Sequence, residues 1–82
     1  MKLDCAVVSD GTDFIALATR LRRAGVSVAT SWNGKIKSQI RRAPECHRMI
    51  ICEKGRYRIR NLWAGASTEA TPDQIAEEFC AD

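Results

Sequence analysis

The hydrophobic positions of this 82-residue chain change their period in a regular succession. Leu3 to Ser9, with Cys5-Ala6-Val7-Val8 at its centre, is a short unbroken apolar run closed by Asp10-Gly11, the pattern of a strand buried on both faces. Between Thr12 and Ala24 the period becomes helical. Phe14, Leu17, Ala18 and Leu21 share a face, Arg20, Arg22 and Arg23 load the last turn favourably for the helix dipole, and Gly25 supplies the stop. Val26 to Thr30 then alternates as a second short strand. A strand-helix-strand unit of this kind predicts parallel strands joined by a right-handed crossover.

A second helix opens at Asn33-Gly34, with Ile36, Ile40 and Ala43 on one face and Lys35, Lys37, Arg41 and Arg42 around the rest, until Pro44 ends it. Residues 48–52, Arg-Met-Ile-Ile-Cys, form a third and buried strand. Lys54-Gly55 turns the chain into 56–62, where period two puts Arg56, Arg58 and Arg60 on one face and Tyr57 and Ile59 on the core side. A turn at Ala64-Gly65-Ala66 leads to a brief strand near 67–71. Thr71-Pro72-Asp73-Gln74 is a capping box with proline at the first helical position, opening a third helix anchored by Ile75 and Phe79. The order βαβαβββα, free of repeats, linkers and low-complexity tracts, predicts an α/β fold in one domain spanning residues 1–82, with helices packed on a mixed sheet.

Composition narrows the class. With 45% hydrophobic and 28% charged residues, 5 Gly and 2 Pro, the chain reads as one small globular domain rather than a disordered or fibrous segment. No run approaches the roughly 20 apolar residues that span a bilayer, so it is expected neither to enter a membrane nor to be secreted. Cysteines 5, 46, 52 and 80 contain no C-x-x-C pair, and His47 has no second histidine to complete a zinc site. They are expected to be reduced thiols of a cytoplasmic protein that carries no cofactor. Cys46-His47 is an isolated pair for nucleophilic chemistry, and no acid-base constellation accompanies it.

Charge is unevenly spread. The formal net charge is +3, yet residues 31–62 hold nine basic and two acidic groups, while 63–82 hold five acidic groups and no basic one. Such clustering suits a polyanion footprint, because lysine and arginine on one surface release counterions from phosphates. It suits equally a solvated face neutralised by the acidic C-terminal segment.

Three segments together resemble the anticodon-binding domain of class II aminoacyl-tRNA synthetases, the version shared by the histidyl, glycyl, threonyl and prolyl enzymes. They are LRRAGVSV at 21–28, GKIKSQIRRA at 34–43 with its glutamine at Gln39, and RMIICEKGRYRIRNLWAGASTEATPDQIAEEF at 48–79. The resemblance covers nearly the whole chain and is nearest to the histidyl version. It implies a three-layer α/β/α domain built on a five-stranded mixed sheet in the order 2-1-3-4-5, with strand 4 antiparallel to the others. It also implies tRNA, or a tRNA-like RNA, as partner. The family's catalytic domain has no counterpart here, so the chain by itself is not expected to aminoacylate; it reads as an excised or a free-standing domain. The loop after strand 3 departs from the family, since Gly55-Arg56 stands where a second glutamate is usual, and Pro44-Glu45 replaces the customary connection into strand 3.

Open α/β sheets gather ligands outside the carboxyl ends of their parallel strands, which here brings Ser9 and Asp10, residues 30–35 and residues 52–54 to one edge. That edge would offer Trp32 as a stacking plane, Ser31 and Asn33 for base edges, a helix N-terminus for phosphate, and charge from Lys35, Lys37 and Arg41. Glu53 matches the first acidic residue of the family's loop after strand 3 and would accept hydrogen bonds from exocyclic amines. Plainer readings stand beside each. Trp32 can cap the sheet edge, Asn33-Gly34 is an ordinary turn, Glu53 can pair with Lys54 or Arg56, and the arginine stripe can be a solvated hairpin face. The competing function is a protein-interaction or regulatory module, including a homodimer, with contacts on strand-5 edge residues such as Ser67 and Glu69.

Overall fold

Eight elements follow one another: β1 (Leu3–Ser9), α1 (Ile15–Arg23), β2 (Val28–Ser31), α2 (Ile36–Arg42), β3 (Cys46–Glu53), β4 (Arg56–Asn61), β5 (Ser67–Glu69) and α3 (Pro72–Cys80). The structure, a computed structural model, describes residues 2–62 and 65–80, without the side chain of Cys80. Ala64, in the turn expected before β5, lies outside the described residues.

The strands form one sheet in the order β2-β1-β3-β4-β5, with β1 parallel to both β2 and β3, and β4 antiparallel to β3 and β5. Five consecutive buried positions, Cys5 to Ser9, follow from β1 lying centrally between two parallel neighbours with a helix layer on each face. On one face Cys5, Val7, Ile50, Cys52 and Ile59 pack with Leu17 and Leu21 of α1 and Ile75 and Ala76 of α3. On the other, Val8, Met49 and Ile51 pack with Ile36, Ile40 and Ala43 of the α2 segment. The fold is therefore a three-layer α/β/α arrangement. Leu21, Ile50 and Ile75 show no exposed surface, and each contributes roughly 1.5–3 kcal/mol by burial.

Local chemistry sets the boundaries. α1 ends in a Schellman motif: Gly25 adopts φ +89°, its N–H donates to the Arg22 carbonyl at 3.0 Å, and the Val26 N–H donates to the Leu21 carbonyl at 3.0 Å. That turn consumes Val26, so β2 begins at Val28 rather than at the expected Val26. α1 starts at Ile15 rather than Thr12, because residues 10–13 are held in side-chain turns in which Asp10 accepts from the Thr12 N–H and Asp13 from the Ile15 N–H. β3 begins at Cys46, two residues before the expected start, since Leu3 pairs with Cys46 across the sheet. The capping box at α3 is reciprocal. The Thr71 N–H donates to the Gln74 side chain at 2.9 Å, and the Gln74 N–H donates to the Thr71 hydroxyl at 3.1 Å.

Candidate nucleic-acid interface

Parallel pairing of β1 with β2 and β3 brings the loops after these three strands to one edge of the sheet. Hydrogen bonds knit them together. Gln39, on the buried side of α2, donates to the carbonyls of Ser9 at 2.6 Å and Gly34 at 2.8 Å, joining the loop after β2 to that after β1. The Asp10 N–H donates to the Cys52 carbonyl at 3.1 Å, and the Asp10 carboxylate accepts from the Lys54 N–H at 3.0 Å. The Gly55 N–H donates to the Thr12 hydroxyl at 3.1 Å, and the Tyr57 hydroxyl donates to the Asp13 carbonyl at 2.6 Å. The rim is thus a continuous and braced surface.

Two residues expected to touch ligand take part in this bracing. Ser9 is fully buried; its hydroxyl donates to the Thr12 carbonyl at 2.7 Å and accepts from the Gly11 N–H at 3.0 Å. Asp10 is exposed, but its carboxylate also takes the Thr12 hydroxyl at 2.7 Å. The Thr12 hydroxyl and the two backbone N–H donors, of Lys54 and Thr12, hold the Asp10 carboxyl below its ordinary value, because each bond favours the charged form.

Of the other named residues, Trp32, Asn33, Lys35, Lys37 and Arg41 are exposed, and Ser31 and Glu53 are half-buried. Trp32 is 63% exposed and lies stacked on Phe14, with ring centroids 5.9 Å apart and planes inclined by 28°. Asn33 is exposed, its carbonyl accepting from the Arg42 guanidinium at 3.0 Å, while Ser31 is half-buried at the end of β2 opposite Val8. Lys35, Lys37 and Arg41 are exposed on and just before α2. Glu53 pairs with Arg58 at 3.3 Å, rather than with the expected Lys54 or Arg56, and Arg56 pairs with Glu69 at 3.8 Å. The helix N-terminus expected to serve phosphate is weak, because α2 has 7 residues, under two full turns, so its dipole is slight and the charge there comes from side chains.

The sequence pattern left one contributor unassigned. Ile15, 67% exposed, joins Phe14, Ala18, Thr30 and Trp32 around an open groove of about 450 Å³ between α1 and β2, with Arg22 at its margin. Ile15 lies off the helical stripe of Phe14, Leu17, Ala18 and Leu21, and that mismatch is the signal that exposes it. Among the described residues no cluster of three or more histidine, cysteine or acidic side chains could hold a metal ion, and no helix is long and apolar enough to cross a membrane. Cys5 and Cys52 are pushed up to about 12 by burial, and burial raises Cys46 as well. These thiols are poor nucleophiles. The chain matches no protein-family model and no curated protein.

Proposed function

We propose that the chain is a non-catalytic RNA-binding module that takes the unstacked loop of a tRNA or tRNA-like RNA across the braced rim, as the anticodon-binding domains it resembles would. The observation that carries this reading is Trp32: a large aromatic face, 63% open and backed by Phe14, beside the exposed Lys35, Lys37 and Arg41. A supported aromatic plane next to cationic side chains is the combination that single-stranded RNA loops use, bases stacking while phosphates are neutralised. Glu53 would discriminate among bases by accepting from an exocyclic amine, giving up a surface pair with Arg58 that is worth little in water. Reduced thiols fit a cytoplasmic setting.

The test is titration of a labelled anticodon stem-loop of histidine tRNA over a range of salt concentrations. Log affinity is expected to fall linearly with log salt, and the Lys35→Ser/Lys37→Ser/Arg41→Ser variant to show a slope shallower by about two units. A salt-independent response, or no binding, would reject the reading.

A protein-interaction module is the second reading, favoured by the outward Ile15 beside Trp32 at the edge strand β2. Sedimentation separates the two. A self-associated species disrupted by Ile15→Ser supports the interaction reading, and a single monomeric species opposes self-association.

A further inference from the structure

β2 is an edge of the sheet, and half of its backbone faces outward. The Cys5 N–H donates to the Ser27 carbonyl at 3.1 Å, which in a parallel ladder turns the backbone groups of Ala29 and Ser31 toward β1 and those of Val28 and Thr30 away from it. The Arg22 guanidinium marks the same outward direction by donating to the Val28 carbonyl at 3.1 Å. Among the described residues the Val28 N–H and both backbone groups of Thr30 have no partner. Unpaired groups along a strand edge are a template for another strand.

The two faces beside this edge differ. Val28 packs into the core shared with α1, so Val28 and Thr30 stand on the α1 face and Ala29 and Ser31 on the α2 face. On the α1 face the groove of about 450 Å³ opens beside Thr30, lined by Phe14, Ile15, Ala18 and Trp32. On the α2 face a smaller cleft of about 210 Å³ runs along Ala29, Thr30 and Ser31 to Arg42. Each face thus carries an exposed arginine beside the strand, Arg22 on one and Arg42 on the other. Asp13 also lines the larger groove, and its carboxylate already accepts from the Ile15 N–H at 3.1 Å.

We infer that the β2 edge takes an extended acidic peptide as an added strand, paired antiparallel with Val28 and Thr30 and placing one apolar side chain in the groove between Ile15 and Trp32. The sheet sets the register. A residue that exchanges both backbone bonds with Thr30 shares its face, so its side chain enters the α1-side groove. The next residue toward the carboxyl end lies opposite Ala29 on the side of Arg42, and the one after it lies opposite Val28, where Arg22 exchanges the Val28 carbonyl for a carboxylate. An apolar residue followed by two acidic ones is therefore the complementary sequence, with main-chain bonds giving affinity and the groove selectivity. A second copy of the chain fits less well. Pairing of β2 with its own copy would set Arg22 and Arg42 against the same arginines, and the opposite sheet edge, β5, offers Ser67, Thr68 and Glu69, with nothing apolar for the groove. Such docking is independent of RNA binding and gives the interaction reading a partner other than this chain itself.

The experiment titrates the 82-residue chain into a labelled peptide, acetyl-Thr-Val-Leu-Glu-Glu-Val-Thr-amide, and into the same peptide with both glutamates replaced by lysine, and follows hydrogen exchange at the Val28 and Thr30 amides. Saturable binding of the acidic peptide is expected, about tenfold or more tighter than that of the lysine peptide, with exchange at both amides slowed about tenfold or more. Thr30→Pro removes an outward N–H, which an edge strand tolerates, and is expected to weaken the acidic peptide about tenfold or more. Ile15→Ser, at a position 67% exposed, keeps the chain folded if Thr30→Pro does not, and is expected to weaken the peptide about threefold or more. Absence of binding, equal binding of the two peptides, binding that leaves both amides unprotected, or unchanged affinity in either folded variant overturns the inference. So does a concentration-dependent dimer of the unaltered chain that itself protects Val28 and Thr30, since a second copy then holds the edge. Protection of these amides by the histidine tRNA stem-loop and not by the peptide overturns the docking and leaves the RNA-binding function standing.

Discussion

Gln39 and the backbone of Ser9 form a two-way clamp between α2 and the end of β1: the Gln39 amide accepts from the Ser9 N–H at 2.9 Å and donates to the Ser9 carbonyl at 2.6 Å. Gln39 is 1% exposed, and its second donor reaches the Gly34 carbonyl at 2.8 Å. Gln39→Leu would keep approximate volume while leaving one backbone N–H and two carbonyls with lost partners. A buried group left unpaired costs about 1–3 kcal/mol, and partial entry of water at the rim offsets some of this, so a loss of about 2–4 kcal/mol is expected by denaturant unfolding. A loss below about 0.5 kcal/mol would mean that the clamp contributes nothing to the fold.

The fold was legible because its signals are local and agree with one another. The apolar run of β1, the Gly25 stop and the Thr71-to-Gln74 box each act within a few residues, and the structure realises each one. The site was less legible because its bracing is non-local. Nothing near Ser9 or Asp10 in sequence announces Gln39, 30 residues away, or Lys54, 44 residues from Asp10, as the partners that occupy them. Ile15 is the opposite case: its departure from the core stripe is a local signal of exposure, but the partners of its groove, Thr30 and Trp32, come from across the strand-helix-strand unit.

Two carboxylates staple the sheet, and both titrate below their ordinary value of 3.8. Asp4 accepts from the Ser27 N–H at 2.9 Å and the Ser27 hydroxyl at 3.0 Å, the backbone bond being the larger cause of its lowering. A folded-state value below the unfolded one means that the stabilisation is complete above 3.8 and is lost as pH falls through the lower, folded value. The Asp4→Asn/Asp10→Asn variant is therefore expected to be less stable than the parent near neutrality, with the gap in urea midpoint closing as pH drops from about 5 to about 2. A gap that stays constant through that range would assign the loss to packing rather than to charge.

Thiol chemistry gives a sharper count. Of the four cysteines, Cys5, Cys46 and Cys52 are free and buried in the folded chain, and burial raises each of them. A raised thiol exposes little thiolate near neutral pH, and a buried one is shielded from reagent besides. An aromatic disulfide reagent is expected to label at most one thiol per folded molecule and four in denaturant. Rapid labelling of Cys46 in the folded protein, located by peptide mass, would reopen nucleophilic chemistry at Cys46-His47.

The stacked pair at the rim separates function from folding. Trp32 is mostly exposed, so Trp32→Ala removes little buried surface, and the loss of its contact with Phe14 is expected to lower stability by at most about 1 kcal/mol. RNA affinity should respond more strongly, because base-aromatic stacking is worth about 1–3 kcal/mol per base, a loss of roughly five- to 150-fold. Phe14→Ala has the reverse balance. Phe14 packs against the core that joins α1 to the sheet, so its removal is expected to cost more stability than Trp32→Ala while leaving the Trp32 ring present but unbacked. Paired measurements of unfolding and stem-loop affinity on the two variants therefore distinguish the roles. Equal stability losses with unchanged affinity would make Trp32 a cover for the sheet edge and leave the rim without its stacking plane.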